Sequence, residues 1–411
     1  MKKTIYMIAA AALVLAACQK ENASLKITPT SGIHTDPAWT TYIQGTGTVN
    51  EIHDDDYYEE LREWKEAAYD EETGLAMRSI SYVFFADYGS MAYRFADIPD
   101  SVDVINLWGG LPKLGSLDYM EMKACQEIKG MKLVGCRITQ VMATDGQWAF
   151  DAEVPSFMDA YNKYIEDHEE DVEEGRMTNQ QVIDNAISAA KSALKTDMSS
   201  HPNPVGDASD PDNYPEWCQY IGGLLIDEID TYGLDGYDLD LEPNGDPLGN
   251  VTGTLIQYLS LFIGRGENAE PGTLLVLDQP GGTSYAEYSH LVNFFVVQTY
   301  STTGAGSPAY DGMFPGNTTP KKGAYVNCQV IPCENVGDTY GEGCGSLEQY
   351  GNFVHSMTGK KFGHSGGFSS FYGHRDWRLP AEGAEKGKTL RYQHHRKAIN
   401  AMAKHNYYQG D

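Results

Sequence analysis

The chain has 411 residues, with 58 Asp or Glu against 30 Lys or Arg, and a formal charge of −28 at pH 7. This balance disfavours nucleic acid as a partner, because phosphates would be repelled rather than neutralised. A neutral substrate is easier to accommodate. Beyond the first residues no apolar stretch is long enough to cross a bilayer, and the length exceeds the usual single-core size while fitting one large α/β barrel.

The chain opens on the basic "MKK", an apolar run from Ile5 to Val14, and "LAAC" ending at Cys18. This is the pattern of a secretory signal, too short for an ordinary membrane span. "LAAC" also resembles a bacterial lipobox, which implies cleavage before Cys18 and lipid on its thiol; an ordinary signal peptide with a chance cysteine is the competing reading. The expected layout is a lipoprotein signal over 1–18, a flexible tether over 19–50, and a barrel domain with an N-terminal helical extension over 51–411. The expected location is the bacterial cell envelope, lipid-anchored at the outer membrane and surface exposed.

"DDDYYEELREWKEAAYDEE" has an Asp-rich start suited to a helix N-terminus and a Leu/Trp/Ala face able to pack on the barrel. It carries no visible chemistry. Eight short runs follow, rich in β-branched and aromatic residues as buried parallel strands are. They are "ISYVFFA" from Ile80, "VDVINLW" from Val102, "KLVGCRI" from Lys132, "GYDLDLE" from Gly236, "TLLVLD" from Thr273, "NFFVVQTY" from Asn293, "GAYVNCQV" from Gly323 and "GGFSSFY" from Gly366. Between them "YMEMKACQEIKG", "YPEWCQYIGGLLIDEIDTYG" and "TGTLIQYLSLFIGRG" space apolar residues by three and four, as crossover helices do. A helix from about Lys386 to Tyr408 closes the ring. The predicted fold is an α/β (β/α)8 TIM barrel; a doubly wound sheet lacks its GxGxxG after the first strand. The gap between strands 3 and 4 is far longer than a normal connection, and reads as an elaborated, partly helical loop.

Seven cysteines are present. Beside Cys18, the closeness of Cys328, Cys333 and Cys344 suggests a local loop bridge, while Cys125, Cys136 and Cys218 are dispersed. Disulfides or buried thiols are expected, without a stated pairing. A zinc site lacks a paired CxxC and a His at standard spacing.

The fourth strand carries "YGLDGYDLDLEP" from Tyr232 to Pro243. The two-residue period of a strand sends Asp238, Asp240 and Glu242 to one side and Tyr237, Leu239 and Leu241 to the other. Apolar side chains pack beneath the helices, so the carboxylates face the barrel axis. Carboxylates in a confined interior are costly unless they share protons, accept hydrogen bonds or serve chemistry. Glu242 is nearest the C-terminal end of the strand, where such barrels build their sites, and is the natural proton donor. A calcium loop starting at Asp238 would have Pro243 where Gly is needed and Gly249 where Glu is needed. A magnesium site would lack a phosphate-binding Gly-rich loop. A structural carboxylate network stays open.

Asp235-x-x-Asp238-x-Asp240-x-Glu242 resembles the DxxDxDxE motif of glycoside hydrolase family 18, which contains chitinases and endo-β-N-acetylglucosaminidases. The resemblance implies a retaining mechanism in which the 2-acetamido group of the substrate is the nucleophile, with no cofactor and no metal. It implies Glu242 as acid and then base, Asp240 as the residue orienting the acetamido group, and Asp238 and Asp235 as supports tuning Asp240 from below. "VVQTY" adds Tyr300, which family enzymes use to hold the acetamido oxygen, and Gln298 two residues earlier, familiar in the endo-β-N-acetylglucosaminidase branch. The implied partner is an N-linked glycan or another GlcNAc-containing oligosaccharide. A chitinase, or a non-catalytic glycan-binding protein on the same barrel, are the alternatives. Trp108 and Trp377 follow strand ends and are candidate sugar platforms, with half-buried packing as the competing role; His364 and His374 read as structural. No Ser/His/Asp or Cys/His constellation is visible in the sequence.

Overall fold

The computed structural model describes residues 55–86, 94–139, 155–241, 251–280, 285–300, 329–336, 347–357, 366–378 and 392–403. Eight parallel strands close into a barrel in the order β1 to β8. They are β1 Ile80–Phe84, β2 Val104–Leu107, β3 Lys132–Ile138, β4 Gly236–Asp240, β5 Leu274–Gln279, β6 Phe294–Gln298, β7 Gln329–Asn335 and β8 Gly367–Phe371. Pairing of Ile80 with Gly367 and of Tyr82 with Ser369 joins the last strand to the first. The predicted (β/α)8 architecture is therefore present.

Seven of the eight predicted runs overlap the observed strands closely. The described part of β7 begins only at Gln329 and runs through "QVIPCEN", beyond the end of the "GAYVNCQV" run. Pro332 lies within it, opposite Val297. A proline usually argues against a central strand because it withholds a ladder donor, and this is why the segment escapes a propensity reading.

Alternation divides the side chains into two layers. Ile80, Tyr82, Phe84, Val104, Val134, Cys136, Leu274, Val276, Phe294, Val296, Ile331 and Cys333 fill the barrel interior. Val83, Ile105, Leu133, Tyr237, Leu239, Leu277, Phe295 and Phe368 lie in the layer between strands and helices. Tyr237, Leu239 and Leu241 thus pack outward as their spacing requires. Gly236 starts β4 with φ at +156°, and a Cβ there would lie 2.0 Å from the Leu274 carbonyl oxygen. Only glycine lets β4 approach β5 so closely at the base of the barrel.

Helices α1 Asp55–Glu66, α2 Leu117–Glu127, α3 Pro155–Asp167, α4 Glu169–Glu173, α5 Asn179–Ser200, α6 Glu216–Tyr232, α7 Thr252–Leu259, α8 Leu347–Met357 and α9 Gln393–Ala403 surround the strands. In α1, Tyr58 and Leu61 pack on Ala124 and Ile128 of the α2 region. Lys65 of α1 is buried and donates to the Val102 carbonyl at 2.6 Å, so the extension is tied to the loop entering β2. The Arg78 guanidinium covers Trp64 at 3.5 Å.

The long insertion before β4 contains α3, α4 and α5. Thr178 and Gln181 form a capping box that starts α5, satisfying donors that would otherwise be orphaned. Val182, Ala186, Ala190, Leu194 and Met198 make its buried stripe. Ala190, Leu194 and Met198 share one core with Trp217 of α6 and with the outer layer of the barrel. This is an insertion packed into the barrel domain rather than a domain of its own. Helix α6 ends at Gly233, φ +59°, whose N–H caps the Ile229 carbonyl, and the chain turns directly into β4.

Cys125, Cys136, Cys218 and Cys333 are buried thiols. Cys333, within β7, is a free thiol rather than half of the loop bridge its neighbours suggest; Cys328 and Cys344 lie outside the described residues, as does Cys18. No helix among the described residues is long and apolar enough to cross a membrane.

Candidate active site

Strand β4 places Asp238 at the centre of the barrel, fully buried. Its Oδ2 accepts from the Tyr82 hydroxyl of β1 at 2.6 Å and from Asn106 Nδ2 of β2 at 2.7 Å. Asn106 also donates to Tyr82 at 3.0 Å, closing a three-member network. Burial pushes the Asp238 carboxyl up to about 7, and the two hydrogen bonds pull against that rise. A carboxyl so placed changes charge near neutrality.

One inward position higher, Asp240 is 3% exposed, and its register partner on β5 is Asp278, 2% exposed. Gln298 at the end of β6 bridges them, its Nε2 standing 3.3 Å from Asp240 Oδ1 and 3.3 Å from Asp278 Oδ2. The Leu241 N–H donates to the Asp278 carbonyl at 2.6 Å and holds the end of β4 against β5. The Cys136 thiol is pushed well up by burial and by the charges of Asp238, Asp240 and Asp278; it is an inert filler beside a cluster of three acids.

Tyr300 stacks on Phe371 with ring centroids 5.7 Å apart and planes at 21°. Trp108 meets the same Phe371 edge-on at 4.9 Å. Tyr300, Trp108 and Phe371 all pack half-buried on the interior cluster, so the ends of β2, β6 and β8 share one aromatic group at the C-terminal end of the strands. Tyr372 continues it, with φ at +54° and the Arg375 guanidinium 4.0 Å from its ring.

Asp238, Asp240, Gln298, Tyr300 and Trp108 are therefore gathered at or beneath one end of the barrel. Asp235 is not among them. It precedes β4, accepts from the Leu133 N–H at 2.8 Å and from Gln126 Nε2 at 2.7 Å, and lies five residues, roughly 16 Å of strand, before Asp240. Its carboxylate is held by β3 and α2, not by the other carboxylates. Glu242 and His364 lie outside the described residues, as does the Trp377 side chain. His374 is buried and its Nδ1 accepts from the Ala86 N–H at 3.2 Å.

Four residues of the cluster went unread in the sequence. Tyr82, Asn106, Asp278 and Phe371 each occupy an inward position of an apolar strand, and the period of two marks that face. For Tyr82, Asn106 and Asp278 the available signal was a polar group on the face that must fill the barrel; Phe371 carries no such signal. The sequence also hid a Ser/His/Asp constellation: Ser370 Oγ is 2.7 Å from His395 Nε2, and Asp376 Oδ2 lies 2.7 Å from His395 Nδ1 and accepts the His395 N–H at 3.0 Å. All three residues are fully buried on the outer side of β8. Burial alone would raise the Asp376 carboxyl, but hydrogen bonds and charge from His395 hold it below its ordinary value. This fully buried trio anchors the start of α9 to β8. No group of three or more potential metal ligands occurs among the described residues.

Fold and site together define a closed (β/α)8 barrel whose core is lined by carboxylates and capped by aromatic rings at the C-terminal end. No protein-family model matches the chain, and no curated protein sequence does. Among solved structures the chain is similar to the endo-beta-N-acetylglucosaminidase from Cordyceps militaris in apo form, at 16% identity and a TM-score of 0.49, covering 85% of this chain and 97% of that one. A mutant of the Cordyceps militaris enzyme in complex with fucosyl-N-acetylglucosamine-Asn gives 15% identity and a TM-score of 0.48, covering 86% and 97%. Similarity this distant decides neither substrate nor mechanism, which have to follow from the side chains on the barrel.

Proposed function

We propose that the chain is a retaining glycoside hydrolase of the family 18 type, cutting between the two core GlcNAc residues of N-linked glycans. The observation that carries the reading is the buried row Asp238 and Asp240 on β4, rising toward Gln298, Tyr300 and an aromatic group. Buried carboxylates stacked toward the catalytic end of a barrel need a chemical reason.

In this reading Glu242, two residues after Asp240 in the sequence and outside the described residues, protonates the glycosidic oxygen. The acetamido carbonyl of the substrate attacks the anomeric carbon as the leaving sugar departs, forming an oxazolinium ion. Glu242 then takes a proton from water as it adds, and the anomeric configuration is retained. Asp240 orients the acetamido group and balances its developing positive charge, while Asp238 supports Asp240 from below. Tyr300 and Gln298 hold the group at the mouth, and Trp108 and Trp377 are the candidate platforms for sugar faces. Asp235 supports the strand at its base. Cys18 would carry lipid, with 19–50 as tether and the domain from 51 onward held at the cell surface.

Incubation with a denatured N-glycoprotein tests the reading. The expected products are one GlcNAc left on each processed Asn and a released glycan ending in the other, both read by mass spectrometry, with the β-anomer appearing first by proton NMR. Glu242→Gln should lower turnover by orders of magnitude while glycan binding persists. Cleavage of chito-oligosaccharides alone would make the chain a chitinase, and binding without product would make it a surface glycan-binding protein. An early α-anomer would falsify the mechanism for any substrate.

A further inference from the structure

Asp278 is a carboxylate for which the proposed reaction has no role. It ends the inward series Leu274, Val276, Asp278 on β5, pairs in register with Asp240, and shares with it a single donor atom, Gln298 Nε2. A primary amide has two protons on nitrogen and none on oxygen. Which way such an amide points is ordinarily a matter of assignment. With Asp240 and Asp278 both ionised, the other orientation would set the carbonyl oxygen against two acceptors, so the amide nitrogen faces them.

One carboxylate would occupy one of the two protons and leave the other available to a ligand. Two carboxylates occupy both. The Gln298 carbonyl oxygen then remains, and it accepts no hydrogen bond among the described residues. Gln298 is the last residue of β6 and half-buried, two positions before Tyr300. Among the described residues its carbonyl is thus an unpaired acceptor, two positions before Tyr300 of the aromatic group.

We propose that Asp278 is a positioning residue that locks the Gln298 amide so that it offers its carbonyl oxygen, selecting a ligand that places an N–H or O–H donor at that point. The nature of the donor rests on the glycan reading above, in which it is an acetamido N–H or a sugar hydroxyl. A ligand with an acceptor at that position meets an oxygen that cannot turn away, and binds poorly because neither group can be satisfied.

Asp278→Asn keeps the shape and removes the charge, and its own amide can meet Gln298 with either atom, so the lock is released. With an N-glycopeptide substrate the expected result is a KM raised about tenfold, the worth of one hydrogen bond to ligand, with kcat changed less. In a Gln298→Ala background the same substitution should change KM by under about twofold, because coupled neighbours are not additive. An equal rise in both backgrounds would overturn the assignment and make Asp278 a structural or purely electrostatic residue.

A second measurement needs no substrate. In 15N-labelled protein the side-chain amide of Gln298, identified by its loss in Gln298→Ala, should exchange slowly with water, and Asp278→Asn should shift it and speed its exchange. An unchanged signal defeats the proposal. If no glycan is turned over, the catalytic reading fails while this measurement still decides what Asp278 does.

Discussion

Asp238 accepts from Tyr82 and Asn106, which are both neutral, at the middle of a closed barrel. Hydrogen bonds favour the carboxylate, but burial wins and carries the group from 3.8 up to about 7. Because the folded value lies above the unfolded one, the folded state binds more protons between those limits, and stability falls as pH rises through that window. The size is about 4 kcal/mol when three pK units are converted. Asp238→Asn keeps an oxygen for both donors and has nothing to ionise. Urea unfolding of both proteins at a series of pH values from 4 to 8 should show the wild type losing ground to the variant up to about pH 7 and no further change above it. Parallel curves would mean that Asp238 titrates normally. The same charge change beneath Asp240 should appear as an ionisation near 7 in the pH profile of kcat, absent in the variant.

At the scale of elements, α1 shows how a segment without visible chemistry earns its place. Its Leu/Trp/Ala face was legible, and Leu61 and Trp64 pack there, but Lys65 was not legible, because a lysine on a helix normally reads as solvated. It is 3% exposed, and burial lowers its ammonium to about 8, with Asp103 and Asp100 pulling the other way. The folded value lies below the unfolded 10.5, so the unfolded chain binds more protons between pH 8 and 10.5 and stability rises across that range. Relative to Lys65→Met, the wild type should gain up to about 3 kcal/mol between those limits, by urea unfolding of each. A flat difference would mean that Lys65 stays charged throughout. The strands tell the same story from the other side. Tyr237, Leu239 and Leu241 against Asp238 and Asp240 were readable because both faces of one strand are patterned. Asp278 stands alone at the end of an apolar strand, and its meaning depends on Gln298 from β6, a partner that no local period can supply. The Ser370, Asp376 and His395 anchor was hidden for the same reason, its members being brought together only when α9 docks on β8.

The whole molecule adds a field to these local effects. A charge of −28 is not matched inside the barrel, where carboxylates again outnumber cations among the described residues, so an approaching anion is repelled at every distance that solvent does not screen. A neutral glycan feels nothing of this field, whereas one carrying sialic acids does. Screening shortens from about 10 Å at 0.1 M salt to about 3 Å at 1 M. With the catalytic reading in place, the KM of a neutral high-mannose N-glycopeptide should stay constant over that range of sodium chloride, and the KM of a sialylated one should fall severalfold. The thermal midpoint should climb over the same titration as repulsion within the folded chain is screened. A sialylated substrate whose KM rises with salt would require a local cationic subsite strong enough to reverse the global field, and the charge balance would then not govern which glycans are accepted.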